Sequence, residues 1–138
     1  MLSMNYWLLK SEPETYSIRN LERDKTTSWT GVRNFQARNN LRLMGKGDKC
    51  LFYHSGKDKA VVGLARVVKT AYPDTTASDG DWSAVEVAFV ELFKNPVTLA
   101  EVKARPDLKS MQLVTHSRLS VQKVTKEEFE QVLKLSKK

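Results

Sequence analysis

The segment from Ser28 to Met44, SWTGVRNFQARNNLRLM, carries side chains that could bind a small planar ligand. Trp29 offers a flat aromatic face, and Gly31 allows the backbone a positive φ or a close approach to a ligand. Arg33 adds a guanidinium. Asn34 adds an amide and is a favoured helix N-cap, which would leave backbone N–H groups pointing out of the helix start. This combination suits a planar ligand that is polar or anionic.

Trp29 also has a purely structural interpretation, because a large aromatic side chain after a polar loop often fills the core. Arg33 and Asn34 argue against deep burial at this point, since a buried guanidinium needs a partner. An open pocket wall formed by Trp29, with the two polar side chains at its rim, meets both requirements.

Two later segments place polar side chains together on predicted strands. Tyr53, His54 and Ser55 follow one another where a predicted strand ends. Either all three side chains lie together at the open end of the sheet, or they alternate between the core and the solvent. Arg118 and Ser120 fall on one face of a late strand, since residues two apart on a strand point the same way. The sequence leaves both alternatives open for each segment.

A catalytic interpretation would depend on Cys50, His54 and His116. The first two lie four residues apart on a predicted strand, so their Cβ atoms are more than about 12 Å apart at a rise of about 3.3 Å per residue. His116 could approach either one only through the fold. The sequence contains no nucleophile elbow, P-loop, dinucleotide fingerprint or metal-ligand spacing. We therefore expect no catalytic residues, no metal and no cofactor.

The formal net charge of +7 favours a polyanionic partner, because a basic surface raises the local concentration of polyanions. The charge is spread along the chain, so a solvated lysine surface is the alternative. At 138 residues, with 41% hydrophobic and 28% charged residues, the chain is expected to form one soluble globular domain, residues 1–138. We also expect it to act as a monomer.

The start of the chain, MLSMNYWLLK, shows no basic leader and no small-residue cleavage site, and no apolar run reaches membrane-spanning length. We therefore expect a cytoplasmic protein that does not contact a membrane. Cys50 is the single cysteine, which excludes an intramolecular disulfide and a cysteine metal cluster.

The elements that must position these residues are predicted from periodicity and capping signals. Residues 25–28 are predicted to be a polar connection, and Asn95-Pro96 is expected to end a strand. Gly63 marks a bulge or a close backbone approach. Five or six strands with short helices at the connections indicate the α+β class with a small curved sheet or barrel. The predicted strands cover residues 5–9, 49–54, 60–71, 82–93 and 113–124, and the predicted helices follow Ser17, Asn34, Thr98 and Thr125.

Five segments in this order resemble the EVE domain, and the similarity covers almost the whole chain. The resemblance implies a PUA-like fold, a curved and barrel-like sheet with helices packed around it. EVE domains are similar to YTH and SRA-type domains, which hold a modified base turned out of its strand. The resemblance therefore implies a non-catalytic module that binds a modified base, for example a methylated or hydroxymethylated one, in DNA or RNA. The segments are YWLLKSEP (6–13), WTGVRNFQARN (29–39), FYHS (52–55), AYPD (71–74) and SRLSV (117–121).

The resemblance also implies roles for individual residues. Thr30 stands where the family often has an acidic residue, and Phe35 where it often has a tyrosine; these departures bear on which base edge is recognised and not on the fold. Phosphate or anion contacts are implied for Lys10, Ser11, Arg33, Arg38 and Arg42. The implied base pocket consists of Trp7, Trp29, Gly31, Val32, Asn34, Tyr53, His54, Ser55 and Arg118.

The physical requirements of base capture agree with this implication. A base turned out of its strand needs a stacking surface, hydrogen bonds to its edge and basic groups for the flanking phosphates. Stacking on Trp29 would contribute about 1–3 kcal/mol, and a methyl group in a small apolar recess about 0.8 kcal/mol. Selectivity would then also require that the unmodified base fill the recess poorly. The alternatives are an enzyme or accessory factor of RNA or nucleotide modification that uses Cys50, His54 or His116, and a structural module whose pocket has no ligand.

Overall fold

The computed structural model describes residues 4–138 and contains a six-stranded mixed sheet in the order β2-β5-β4-β3-β1-β6. β1 and β3 run parallel, and every other neighbouring pair runs antiparallel. The edge strands β2 and β6 do not pair with each other, so the sheet is open. The predicted α+β class and the sheet of five or six strands are confirmed. The strands are β1 (Tyr6–Ser11), β2 (Thr26–Trp29), β3 (Lys49–His54), β4 (Ala60–Pro73), β5 (Ser83–Thr98) and β6 (Val121–Val124).

Short helices connect the strands, and the predicted caps begin four of them. Asn34 Oδ1 accepts the Ala37 N–H at 2.9 Å. Ser17, Thr98 and Thr125 each form a capping box with the residue three positions later. Among residues 4–138, none of the helices has the length and the apolar content needed to cross a bilayer. The helices are α1 (Ile18–Asp24), α2 (Phe35–Leu43), α3 (Leu99–Ala104), α4 (Gln112–Thr115) and α5 (Lys126–Ser136).

The core lies on both faces of the sheet, as the alternation along β3 shows. Cys50 and Phe52 pack into a cluster with α1 and α2, whereas Leu51 and Tyr53 pack into a second cluster with α3, α4 and α5. Gly63 allows β4 to approach its surroundings closely, since a Cβ at this position would lie 2.6 Å from the Glu91 carbonyl oxygen. The ladder between β4 and β5 shifts register beside it, which confirms the predicted irregularity.

Three element predictions were wrong. Residues 25–28 are mostly strand: β2 pairs with β5, with Ser28 opposite Glu86, because threonines suit an exposed edge strand. β5 continues through Pro96 to Thr98, since the ladder skips residues 93–96 and needs no N–H there. Residues 113–124 form the end of α4, a loop and β6, because a short apolar run does not distinguish strand from helix.

Candidate functional site

The turn between β2 and α2 carries the residues that the sequence singled out first. Pairing of β2 with β5 places Trp29 opposite Val85 at the end of the strand. Gly31 follows with a φ of +83°, in the left-handed region that a residue with a Cβ resists. Asn34 then caps α2, so that its side-chain oxygen is committed to the helix start. Five residues, 30–34, thus connect β2 to α2.

An open pocket of about 690 Å³ lies beside this turn. Its volume is within the range of about 300–1,000 Å³ that is typical of small-molecule sites. All of residues 27–34 line it, together with the end of β1, the loop that follows β1 and Ser120. Among the predicted site residues, the structure brings together Lys10, Ser11, Trp29, Gly31, Val32, Arg33 and Asn34.

Trp29 is both a pocket residue and a core residue. Its side chain packs edge-on against Phe52, with ring centroids 5.5 Å apart, and against Tyr16 at 6.5 Å. Only 9% of the residue is exposed. Most of the Trp29 surface is therefore buried in the core, as the structural interpretation expects, and the small exposed part lines the pocket. The core thus holds the indole in place.

The carboxylate of Asp74 fixes the turn from the other side. Its Oδ2 accepts the Gly31 N–H at 2.8 Å and Arg33 Nη1 at 3.0 Å. Its Oδ1 accepts the N–H and the hydroxyl of Thr76, at 2.8 and 2.6 Å. Burial alone would raise the pKa of Asp74, but the hydrogen bonds from Thr76, Gly31 and Arg33 hold that pKa far below its usual range. The turn is thus anchored by a charged group whose side chain is fully buried.

Asp74 is the residue that sequence reasoning missed. It is the last residue of the AYPD segment, and the sequence predicts no role for it. The available signal was an aspartate after Tyr72-Pro73 with a threonine two residues later, which is typical of an Asx-turn. That pattern predicts the bond to Thr76 and not the contact with Gly31, from which Asp74 is 43 residues away.

Lys10 and Ser11 form the opposite side of the pocket. Lys10 Nζ donates to the Ser117 carbonyl oxygen at 2.6 Å, and burial lowers the pKa of this lysine. The Ser11 hydroxyl donates to the Tyr16 carbonyl oxygen at 2.6 Å, which holds the loop after β1. Lys10 and Arg33 thus place two cations on the pocket lining. An ammonium has three donors, so Lys10 retains capacity for an anionic ligand.

Several residues of the implied base pocket lie elsewhere. Trp7 is 3% exposed, donates from Nε1 to Asp48 Oδ2 at 2.9 Å, and borders a second open pocket of about 630 Å³ at the start of β1. Tyr53 is 4% exposed and belongs to the core. Arg118 is exposed in the loop before β6 and is outside the lining, whereas Ser120 is part of it.

His54 and Ser55 are engaged in local structure. His54 Nε2 accepts the Ile18 N–H at 3.0 Å, and its Nδ1 lies 3.1 Å from Asp58 Oδ2. Because Nε2 accepts, the proton of a neutral ring is on Nδ1 and points to Asp58. The Ser55 N–H donates to the Ser11 carbonyl oxygen at 3.0 Å. Neither residue is part of the pocket lining.

Arg38 and Arg42 also lie outside the pocket lining, on the face of α2 that contacts residues 81–83. Arg42 pairs with Asp81 at 2.8 Å and donates to the Ser83 hydroxyl at 2.8 Å. Arg38 donates to the Asp81 carbonyl oxygen at 3.1 Å. The Asp81 side chain is 82% exposed, and exposed ion pairs of this kind are weak. A phosphate could therefore compete with Asp81 for the Arg42 guanidinium.

The residues of the catalytic alternative are separated in the fold. Cys50 is fully buried, and burial, together with the nearby Asp48 carboxylate, raises the pKa of its thiol well above its usual range. Such a thiol is unreactive at neutral pH. His116 lies in the loop after α4, where Nδ1 is 2.7 Å from the Thr115 hydroxyl. Within the described part of the chain, residues 4–138, no three His, Cys, Asp or Glu side chains are grouped to hold a metal.

Comparison with known proteins identifies the family. The EVE domain family model matches residues 5–135. Thymocyte nuclear protein 1 from Mus musculus is 42% identical, over 95% of this chain and 73% of its own length. The structure of human THYN1 in complex with 5-methylcytosine-containing DNA has a TM-score of 0.91 at 40% identity, over 97% of this chain and 98% of that one.

A more distant neighbour shares the fold. It is the YTH domain of the Zygosaccharomyces rouxii MRB1 protein, in complex with N6-methyladenosine RNA. Its TM-score is 0.61 at 18% identity, over 99% of this chain and 91% of that one. The implied relation between this sheet and the YTH fold is therefore confirmed at the level of architecture.

Proposed function

The chain belongs to the EVE domain family, and we propose that it is a non-catalytic module that holds a modified nucleobase of DNA or RNA in the pocket beside Trp29. The observation that carries the proposal is the turn of residues 29–34, which Asp74 anchors at the rim of a pocket of ligand size. The human relative whose structure contains 5-methylcytosine DNA supports the class of ligand.

The polar groups of the turn define which base edge the pocket favours. The Gly31 N–H is bonded to Asp74, and the Asn34 side-chain oxygen is bonded to the Ala37 N–H. Asn34 therefore offers its amide N–H groups, while one lone pair of its side-chain oxygen is used at the helix start. The exposed Thr30 hydroxyl can donate or accept. We expect a base edge that presents acceptors toward Asn34.

The phosphates next to the base would contact Lys10 and Arg33. Arg33 is anchored to Asp74, yet 39% of its side chain is exposed, so its remaining N–H groups can reach a ligand. Its fixed position lowers the entropic cost of an additional hydrogen bond. The net charge of +7 adds long-range attraction that salt screens.

The test is a comparison of Kd values for matched oligonucleotides, in DNA and in RNA, that carry cytosine, 5-methylcytosine, 5-hydroxymethylcytosine, adenine or N6-methyladenine at one position. We expect one modified base to bind more tightly than its unmodified parent, and affinity to fall between about 50 and 200 mM salt. Equal affinity for every modified base and its parent would refute the proposal.

The matched variant is Asn34→Ser. Serine is an equally favoured N-cap, so α2 is retained, whereas the amide donors are lost. We expect a loss of about 2- to 10-fold in affinity for the preferred strand, the value of one hydrogen bond of about 0.5–1.5 kcal/mol. Unchanged thermal unfolding would show that the effect is on binding.

A further inference from the structure

Exposed Phe35 and half-buried Trp82 form an aromatic stack next to the pocket. Their ring centroids lie 5.2 Å apart, with 13° between the ring planes. Phe35 is the first residue of α2, and 66% of it is exposed. A phenylalanine this exposed adds little to the core, and its ring is accessible to a partner.

Two guanidinium groups surround the stack. Arg38 Cζ lies 5.0 Å from the centroid of the Phe35 ring and 5.8 Å from that of the Trp82 ring. Arg33 Cζ lies 5.7 Å from the Trp82 ring. Cation–π contacts at exposed sites are favourable. The aromatic surface is therefore bordered by positive charge, which suits an anionic strand better than an apolar protein surface.

The stack is held in place by its own loop. Gly80 has a φ of +87°, and a Cβ on it would lie 2.6 Å from Trp82 Nε1, so this position requires glycine. Arg38 and Arg42 both donate to the Asp81 carbonyl oxygen, which ties the loop to α2. The two rings are thus positioned before any ligand arrives, which lowers the entropic cost of stacking.

The stack and the pocket are contiguous. Arg33 lines the pocket and also lies over the Trp82 ring. Asn34 lines the pocket, and Phe35 is the next residue, with consecutive Cα atoms about 3.8 Å apart. A strand whose base enters the pocket would therefore pass the aromatic stack with an adjacent nucleotide.

We propose that Phe35 and Trp82 form a second subsite, a stacking platform for the unpaired base next to the one held in the pocket. The inference rests on the proposed function, because the stack lies on the path of a strand only if a base of that strand occupies the pocket. Stacking on an aromatic face tolerates every base, so the platform contributes affinity without reading sequence. Arg33 and Arg38 contact the phosphates on either side of the stacked base.

The probe is a single-stranded DNA with one central 5-methylcytosine and, in separate strands, an abasic site at the nucleotide before or after it. We expect the wild-type protein to lose 5- to 100-fold in affinity for one of the two abasic strands, which is about 1–3 kcal/mol at 1.4 kcal/mol per tenfold. Phe35→Ala should bind the intact and abasic strands equally, and Phe35→Tyr should behave as wild type.

The control is Leu43→Ala, which removes an equally exposed apolar side chain from the same helix, 58% exposed, and should retain the full sensitivity to the abasic site. If Phe35→Ala keeps that sensitivity, or if the wild type is insensitive to both abasic sites, the platform is refuted. A matched strand with cytosine in place of 5-methylcytosine completes the set. If it binds as tightly as the methylated strand while the neighbouring abasic site still weakens binding, 5-methylcytosine is refuted as the ligand of the pocket and the platform stands. Failure to bind any of the strands would refute both.

Discussion

The turn of residues 29–34 and the end of β3, residues 52–55, carry similar side chains with opposite outcomes. Each combines an aromatic residue with hydrogen-bonding groups, and both belong to segments that resemble the EVE domain. At the turn, the polar groups surround an open pocket. At the end of β3, Tyr53 and His54 are buried, because β3 has neighbours on both sides and a cluster on each face. The residue types therefore predict hydrogen-bonding groups in both regions, whereas the position of the strand in the sheet decides whether a ligand can reach them.

Substitution of Trp29 should lower the free energy of unfolding more than substitution of Asp74 or His54, since Trp29 belongs to both the core and the pocket. Trp29→Ala should lower the free energy of unfolding by about 3–5 kcal/mol, the usual cost of truncating a buried aromatic residue. Urea unfolding measures it. Phe35→Ala is the control, because Phe35 is 66% exposed and should cost less than about 1 kcal/mol. A loss for Trp29→Ala as small as the loss for Phe35→Ala would show that Trp29 does not stabilise the core.

Asp74→Asn should produce the next largest loss. In the variant, an NH₂ group takes the place of the carboxylate oxygen that accepts hydrogen bonds from Gly31 and Arg33. Since an NH₂ group donates and does not accept, the free energy of unfolding should fall by about 2 kcal/mol. The value is below that of a fully buried pair because the Arg33 side chain is 39% exposed. The same change at exposed Asp81 is the control and should cost less than about 1 kcal/mol.

The same carboxylate makes stability depend on pH with a defined sign. The pKa of Asp74 is lower in the folded protein than the value of about 3.9 in the unfolded chain. Its stabilising contribution is therefore complete above that unfolded value and is lost as the pH falls toward the folded pKa. The difference in unfolding free energy between wild type and Asp74→Asn should be constant from pH 6 to 8 and shrink below about pH 4. A constant difference down to about pH 2.5 would contradict this assignment.

His54→Ala tests the other region, where the polar groups are structural. The variant leaves the buried Ile18 N–H without its acceptor, which should cost about 1–3 kcal/mol of unfolding free energy. Affinity of the folded variant for the preferred oligonucleotide should stay within about twofold of wild type. His116→Ala, in an exposed loop, is the control for stability and should change it by less than about 0.5 kcal/mol. A selective loss of binding in His54→Ala would place His54 in the site.

The local features were predictable from the sequence, and the long-range ones were not. Asn34, Thr98 and Thr125 were identified as caps because capping depends on residues within one turn. Residues 25–28 were misassigned because their strand depends on pairing with β5, in which Ser28 lies opposite Glu86.

The same difference between local and long-range features applies to the candidate site. Trp29 to Asn34 were found as a contiguous segment, whereas Asp74 and Asp48 reach Gly31 and Trp7 across 43 and 41 residues of the chain. No local pattern records such a contact.

The most direct test of the account is to map the amide chemical-shift changes of ¹⁵N-labelled protein during titration with the oligonucleotide that binds most tightly. We expect the largest changes at residues 10–16 and 27–34 and at Asp74 and Thr76, with small changes at residues 52–54. Changes centred on residues 52–55, or on the second pocket at the start of β1, would contradict it.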